Sequence, residues 1–163
     1  MELNYPHTDI NKLLNFSNKL QLQKNKKKLP KVIIIFNEKK FIKKKFELLK
    51  IPKGSAILLR SYKIKDRKKI AIELLKFCKI KRLKLLISSD VRMAREINAN
   101  GIHLPEYMIN DQSKINWKNF KAWKTKLKWM VTAAAHNKKT LYKVPGHIID
   151  AVLLSPIFLT KSH

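Results

Sequence analysis

Short apolar segments recur along the chain from Lys31 onward, and helix-like or polar stretches separate them. Each segment has the length and composition of a buried β-strand. The strand candidates are residues 32–36, 55–59, 84–88, 101–104, 129–134 and 151–155. The intervening helical or polar stretches are residues 39–50, 66–80, 91–99, 114–126 and 138–145. Strands that alternate with helices every 17 to 29 residues or so predict βα units around a parallel sheet.

The helix predicted at residues 66–80 has the clearest pattern. We expect Asp66 to cap its N-terminus. Its apolar stripe consists of Ile70, Leu74, Leu75, Phe77 and Cys78. Cys78 is the single cysteine of the chain, so no disulfide can form within it, and this apolar setting predicts a buried core thiol.

The glycines also fall near the predicted boundaries. Gly54, Gly101 and Gly146 lie at helix ends or just before a strand or its approach, where we expect left-handed C-caps. Two architectures then fit six βα units. A closed (β/α)8 barrel takes about 250 residues, so the length of 163 residues favours an open doubly wound sheet on that ground alone.

Four segments favour the barrel. Residues 155–163 (SPIFLTKSH) place hydroxyls and an imidazole after the last strand candidate, at the strand end where parallel α/β proteins bind ligands. They resemble the Gly/Ser-Pro-Val-Phe-Pro-Thr-x-Thr/Ser-Lys/His run that ends the sixth strand in the thiamine phosphate synthase and thiazole tautomerase (TenI) family. Residues 57–60 (ILLR), 99–104 (ANGIHL) and 131–136 (VTAAAH) resemble that family in the same order.

The resemblance covers roughly residues 31–163 and implies a domain organisation. Residues 31–163 would form a TIM-type (β/α)8 barrel domain that is truncated after the sixth βα unit. Residues 1–30 would form a basic, polar N-terminal extension with a short helix. The seventh and eighth strands of the family would then be missing.

The net charge limits the classes of partner. The chain has 37 Lys and Arg residues against 11 Asp and Glu residues, for a formal net charge of +26. Only five of the basic residues are arginines, whereas proteins that read nucleic acid use arginine forks as well as lysine. A lysine excess spread along the whole chain also fits an AT-rich coding sequence. We therefore do not expect nucleic acid to be the main partner.

The N-terminus has no apolar signal region, and no apolar run approaches the length of a membrane span. We expect a cytoplasmic protein without a membrane partner. Whether it forms a homo-oligomer stays open.

Arg60 is the strongest candidate for ligand binding. It follows the strand candidate at residues 55–59, so it stands where a buried strand delivers a side chain to the ligand edge. A guanidinium removed from water needs a counter-charge, and a phosphate or pyrophosphate would satisfy its donors. In the family the matching arginine binds phosphate groups. The alternative is an arginine that reaches solvent or pairs with a nearby acid.

The resemblance bears on metal binding as well. After the third strand the synthases carry Asn-Asp-Arg, whose Asp helps to hold the magnesium of the pyrophosphate. Ser88, Ser89 and Asp90 occupy these positions here, so the carboxylate is displaced by one residue. Met108 stands where the synthases have a second magnesium-binding Asp. We expect Asp90 to cap the following helix, with metal binding as the alternative, and magnesium is implied only if the synthase reaction is retained.

Two histidines end predicted strands. His103 has a family counterpart at the fourth strand, where it would donate to a phosphate or, equally, lie hydrogen-bonded beneath the site. His136 matches the histidine that moves a proton on the thiazole in the tautomerases, a task that suits an imidazole and needs no metal. The alternative for His136 is a structural or helix-capping role.

The C-terminal residues complete the predicted site. Thr160, Ser162 and His163 match family residues that surround the pyrophosphate, and His163 stands where the synthases commonly have lysine. A separate feature is the series Trp117, Trp123 and Trp129, which is interleaved with lysines. We expect these rings to pack in the core, with a stacking platform for single-stranded nucleic acid as the alternative.

The leading interpretation is a thiamine-biosynthesis protein that binds thiazole phosphate, and pyrimidine pyrophosphate in the synthase case, at the carboxyl ends of the strands. The choice between synthase and metal-independent tautomerase stays open. A catalytically decayed barrel that only binds a phosphate ligand is a second class, and a basic nucleic-acid-binding module is a third.

Overall fold

The described strands form one parallel sheet with sequential order. A computed structural model of the protein describes residues 29–36, 51–62 and 65–156. Its strands are β1 (Ile33–Phe36), β2 (Ala56–Leu59), β3 (Lys84–Ser88), β4 (Gly101–Leu104), β5 (Met130–Ala135) and β6 (Ala151–Leu154). They pair in the order β1-β2-β3-β4-β5-β6. In a doubly wound sheet the order of the strands reverses beside the first strand, whereas in a barrel each strand pairs with the one before it in the sequence. The curled sheet therefore confirms the barrel-type fold.

From β2 onward, helices connect successive strands. They are α1 (Arg67–Lys81), α2 (Val91–Glu96), α3 (Glu106–Asn110), α4 (Trp117–Leu127) and α5 (Lys138–Lys143), with a 3-10 turn at Gln112–Lys114. The predicted strands and the helices predicted at 66–80, 91–99, 114–126 and 138–145 are confirmed, with boundaries shifted by at most three residues. The sequence pattern did not reveal α3. The helix predicted at 39–50 and the extension up to residue 28 lie outside the described residues.

The two faces of the sheet pack differently because successive side chains of a strand point to opposite sides. Ile57, Leu59, Leu85 and Ile87 face the helices and belong to the main core. Their neighbours Ala56, Leu58, Leu86 and Met130 form a smaller apolar cluster on the inner, concave face. This alternation places Arg60, Ser88, His103, Thr132 and His136 on the inner face, toward the carboxyl ends of the strands.

Helix α1 packs on β3 through one apolar stripe. Its buried side chains are Ala71, Leu74, Leu75 and Cys78. Cys78 is fully buried, and burial raises the pKa of its thiol to about 12, so it is a core residue as predicted. The prediction that the Asp66 side chain caps this helix was wrong. Asp66 precedes the helix in the left-handed conformation, with φ of 65°, and its side chain makes no capping hydrogen bond.

The tryptophans pack in the core, which confirms the expectation over a stacking platform. Trp129 is 3% exposed and contacts the Phe120 ring at a centroid distance of 6.2 Å. Trp117 meets Phe120 edge to face at 5.8 Å. The Trp123 ring lies 4.7 Å beneath the guanidinium of Arg95. These rings fill the space between α4 and the sheet and leave no free row of aromatic faces.

Side chains fix the strands at their amino-terminal edge. The Asn100 side-chain oxygen accepts from Leu85 N at 2.8 Å. Asp150 accepts from Val131 N at 2.8 Å and pairs with Lys124 Nζ at 2.9 Å. The side chains of Asp150 and Lys124 are 5% and 15% exposed, so this ion pair is largely shielded from water. These contacts hold the start of β6 beside β5.

Glycine is needed at Gly54 and at Gly101 for different structural reasons. Gly54 has φ of 81° and needs the freedom of glycine there, as predicted. Gly101 does not have a positive φ. A Cβ atom at Gly101 would collide with the carbonyl oxygen of Met130, so the residue allows β4 to approach β5. The prediction of a left-handed C-cap was therefore wrong at Gly101, and it was wrong at Gly146, whose φ is not positive either.

None of the helices in the described ranges combines the length and the apolar composition that a membrane crossing requires.

Candidate functional site

A polar row lines the inner face where the described strands end. Strand pairing aligns Ser88 with His103 and His103 with Thr132. Arg60 follows β2 by one residue, and His136 follows β5 by one residue. In a barrel of this type, side chains at this edge contact the ligand, whereas the opposite edge serves stability. The fold thus brings Arg60, His103 and His136 to one edge, as the sequence predicted.

Arg60 is exposed, not buried. The expected removal of its guanidinium from water was therefore wrong, because the strand end that carries it reaches the surface of the described structure. Within the described residues, no carboxylate lies at ion-pair distance from its guanidinium. Burial lowers the pKa of His103, and the positive charge of Arg60 adds to that shift. Arg60 is thus a cation on the inner face that is available to an anion.

His103 lies beneath this surface and is neutral. It is 6% exposed, and its Nδ1 is 2.9 Å from the Thr132 hydroxyl. Burial, followed by the charge of Arg60, lowers the pKa of His103 to about 4. A neutral imidazole offers one donor and one acceptor without a charge. This geometry fits the alternative in which His103 supports the site from below, and its contact with a ligand stays a prediction.

His136 has a defined tautomer. Its Nδ1 is 2.6 Å from the backbone oxygen of Ser155, and a carbonyl oxygen only accepts. Nδ1 therefore carries the hydrogen, so Nε2 of the neutral tautomer has a lone pair that no described residue occupies. Glu106 positions the same residue, because its carboxylate accepts from the His136 backbone N–H at 2.9 Å. The arrangement gives His136 the chemistry of a general base.

Tyr62 joins the inner face to the helix side of the same edge. Its hydroxyl lies 2.9 Å from the Ser88 hydroxyl, and either group can donate. Its ring lies 5.8 Å from the guanidinium carbon of Arg67. Neither Tyr62 nor Arg67 was singled out from the sequence. Tyr62 stands two residues after Arg60, in the same loop.

Arg67 is the shielded guanidinium of this edge. The side chain is 12% exposed, and Nη2 donates to the carbonyl oxygens of Ser88 at 2.7 Å and Leu59 at 3.4 Å. Burial lowers the pKa of Arg67, and the charge of Asp90 partly opposes that shift. The residue opens α1, inside a lysine-rich stretch, so its sequence context gave no signal that distinguished it from surface charge.

An open cleft of about 560 Å³ lies beside Arg67. Its walls come from the loops and first helical turns that follow β2, β3 and β4. The lining residues are Tyr62, Arg67, Ser89, Asp90, Val91, Arg92, Tyr107, Met108 and Lys114. Three of these side chains are cations and one is a carboxylate. Ser89 and Met108, at the two positions where the resembled synthases carry acids, both line this cleft.

Asp90 caps α2, as expected. Its Oδ1 accepts from Met93 N at 2.8 Å, and its Oδ2 lies 3.6 Å from Arg67 Nη1. Ser89 turns the chain before it with a φ of 63°. Asp90 is thus engaged by a helix N-terminus and by a guanidinium, although metal binding by it stays a prediction.

The residues around the cleft do not fit a magnesium ion held by side-chain carboxylates. Mg²⁺ needs near-octahedral oxygen ligands and negative charge. Asp90 faces a cation, and the other two positions supply a hydroxyl and a thioether. Within the described ranges, no group of three or more His, Cys, Asp or Glu side chains could hold a metal ion. We therefore derive no step through a metal.

Three predicted site residues cannot be placed. Thr160, Ser162 and His163 lie outside the described residues, so their contact with pyrophosphate stays a prediction. The last described part of that segment is Ser155 and Pro156, of which Ser155 holds His136 through its carbonyl oxygen.

Comparison with known proteins agrees with the fold. A family model described as thiamine monophosphate synthase (TMP-TENI) matches residues 33–163. A protein of Aquifex aeolicus (strain VF5), named "Putative thiamine-phosphate synthase 2", is 30% identical over 142 residues. The aligned region covers 83% of this chain and 71% of that protein. The match supports a role in thiamine biosynthesis, and the chain belongs to the thiamine monophosphate synthase (TMP-TENI) family.

Proposed function

We propose that this chain binds thiazole phosphate on the inner face of its sheet and joins it to a pyrimidine pyrophosphate to give thiamine phosphate. The observation that carries the proposal is the polar row at the strand ends, where Arg60 has no carboxylate partner among the described residues. The family match and the name of the Aquifex relative support the same reaction class.

The residues would act by position and charge. In the reaction, the bond between the pyrimidine methylene carbon and the pyrophosphate oxygen breaks, and its electron pair leaves with pyrophosphate. The thiazole nitrogen donates its lone pair to that carbon and forms the new C–N bond. Arg60 would hold a phosphate group of the substrates, because fixed cations stabilise charge that develops on phosphate oxygens. His103 would stay neutral at pH 7 and keep the floor of the site hydrogen-bonded.

Calorimetric titration of the full chain with thiazole phosphate tests the binding step. We expect Arg60→Gln to weaken binding by about tenfold or more, since a charge-assisted hydrogen bond contributes about 1.5–3 kcal/mol. Arg82→Gln is the matched control, because Arg82 is an exposed arginine at the far end of α1. Equal affinity of wild type and Arg60→Gln would contradict the phosphate assignment.

Salt dependence separates this proposal from nucleic-acid binding. Binding of nucleic acid weakens steeply as salt rises, in proportion to the phosphates that are contacted. Binding of a single phosphate at a defined site should weaken far less. A steep salt dependence with nucleic acid, together with no thiazole phosphate binding, would favour the basic-module interpretation.

A second candidate reaction is thiazole tautomerisation, and the geometry of His136 favours it. Its Nδ1 is occupied by the Ser155 carbonyl oxygen, so Nε2 can accept and return a proton. This chemistry needs no metal. In this reaction Arg60 would hold the single phosphate of the thiazole. A decayed barrel would instead bind thiazole phosphate and turn over neither reaction.

A further inference from the structure

The side chains that line the cleft beside Arg67 carry a net positive charge. Enzymes that release a diphosphate group need positive charge beside its oxygens, and Asp90 is the one carboxylate among the residues that line this cleft. Acids that would bind a divalent cation are replaced by Ser89 and Met108. A metal held by protein carboxylates is therefore poorly supported here, whereas organic cations are abundant.

Arg67 has the geometry of a fixed cation. Its Nη2 donates to two backbone carbonyl oxygens at the ends of β2 and β3, and these hydrogen bonds orient the planar group. Its Nε is buried and has no hydrogen-bond partner among the residues that the structure describes. Asp90 lies 3.6 Å from Nη1, which is longer than a strong charge-assisted hydrogen bond. Arg67 thus retains unsatisfied donor capacity in a shielded position.

Two further cations and two phenol rings surround it. Arg92 and Lys114 line the cleft, and each also pairs with an acid that does not line it, Glu96 and Asp111 respectively. Both of these pairs are solvent-exposed and hence weak, so a multiply charged anion can compete for the cations. Tyr62 and Tyr107 add hydroxyl donors at the cleft wall.

We infer that Arg67, assisted by Lys114, supplies the positive charge that a divalent cation would otherwise supply, so that a diphosphate group binds in this cleft without metal. The natural ligand, a pyrimidine pyrophosphate, rests on the proposed function. The binding of a diphosphate anion itself rests on the residues of the cleft.

Titration of the full chain with inorganic pyrophosphate tests this inference by calorimetry and phosphorus NMR. The titration is run once with a chelator and once with magnesium. We expect the affinity in chelator to match that in magnesium within about twofold. Arg67→Met should weaken binding about tenfold or more, and Lys114→Gln about threefold, in line with the loss of charge-assisted hydrogen bonds. Arg82→Gln removes the same charge away from the cleft and should leave affinity unchanged.

Several outcomes would overturn the inference. One is pyrophosphate binding that requires magnesium, and another is an equal loss in Arg67→Met and Arg82→Gln. Lys114 is half exposed, so Lys114→Gln keeps the test valid should Arg67→Met fail to fold. Thiazole phosphate binding is measured in parallel. Its loss in Arg60→Gln with a magnesium requirement for pyrophosphate would refute this inference and leave the proposed function intact. Absent thiazole phosphate binding would refute the proposed function.

Discussion

The two edges of the sheet use polar side chains for opposite purposes. At the amino-terminal edge, the carboxylate of Asp150 accepts hydrogen bonds from Val131 N and Lys124 Nζ, so it is already paired within the fold. At the carboxyl-terminal edge, among the described residues, Arg60 has no carboxylate partner and His136 Nε2 has no hydrogen-bond partner. Polar groups that are paired within the fold stabilise it, whereas polar groups without a protein partner can bind a ligand. Substitutions at the first edge should therefore change stability, and those at the second should change binding or turnover.

The largest expected effect is at the amino-terminal edge. Asp150→Ala leaves the shielded ammonium of Lys124 without its counter-charge and with the Ile148 carbonyl oxygen as an acceptor, and loss of one partner of such an ion pair costs about 4 kcal/mol of unfolding free energy. Urea denaturation followed by circular dichroism measures this loss. Asp111→Ala, which breaks an exposed pair with Lys114, is the control and should cost much less. Similar losses in the two variants would contradict the comparison.

At the other edge, His136→Ala should reduce thiazole tautomerisation about 100-fold or more, since general-base catalysis contributes at least that factor. Thiazole phosphate affinity and the free energy of unfolding should change little, because the side chain is exposed. Proton exchange on the thiazole, followed by NMR, measures the rate. Unchanged exchange would remove His136 from the mechanism and leave the synthase reaction as the remaining candidate.

His103 predicts a pH dependence of stability. Its pKa is about 4 in the folded chain against an ordinary value of 6.5. As pH falls, His103 therefore binds a proton more readily in the unfolded chain than in the folded chain. The contribution of His103 is complete above pH 6.5 and is lost as pH falls toward 4. Between pH 7 and 5 this loss amounts to about 2 kcal/mol.

Urea denaturation at a series of pH values measures the slope in this interval. His103→Gln removes the titrating group and should flatten it. A wild-type slope that persists in His103→Gln would show that another group causes the dependence.

Asp90 gives the smallest effect. Asp90→Ala removes the cap of α2 and should cost about 1 kcal/mol of unfolding free energy. Asp90→Asn keeps a capping oxygen, so it should be more stable than Asp90→Ala while it removes the negative charge beside Arg67. Pyrophosphate should then bind more tightly to Asp90→Asn than to wild type. Weaker binding would indicate that the carboxylate itself contributes to the ligand site.

The contrast between Arg60 and Arg67 shows what could be predicted from the sequence. The apolar runs and their spacing gave all described strands, because a buried strand must be apolar and a parallel sheet must alternate strands with helices. They also gave the position of Arg60, directly after a strand. The exposure of Arg60 and the shielding of Arg67 depend on how three loops pack together at the carboxyl ends of the strands. The residues next to Arg60 and Arg67 in the sequence do not determine that packing.

The same limit applies to other residues. His136 was predicted from its place after β5 and from resemblance, whereas its tautomer depends on a carbonyl oxygen 19 residues later in the chain. The short helix α3 was not predicted, because residues 106–110 have too few apolar repeats to show a helical period. Gly101 was assigned a cap, since the sequence cannot show that the carbonyl of Met130 lies against it.

Two-dimensional NMR of the labelled full chain during titration with thiazole phosphate shows which edge of the sheet binds this ligand. We expect saturable shifts of the amide signals of Thr132, Ala134 and His136, at the carboxyl-terminal edge, and little change at Asn100 and Asp150. Shifts confined to the lysine-rich helix surfaces, or no shifts at saturating ligand, would contradict binding at the carboxyl-terminal edge.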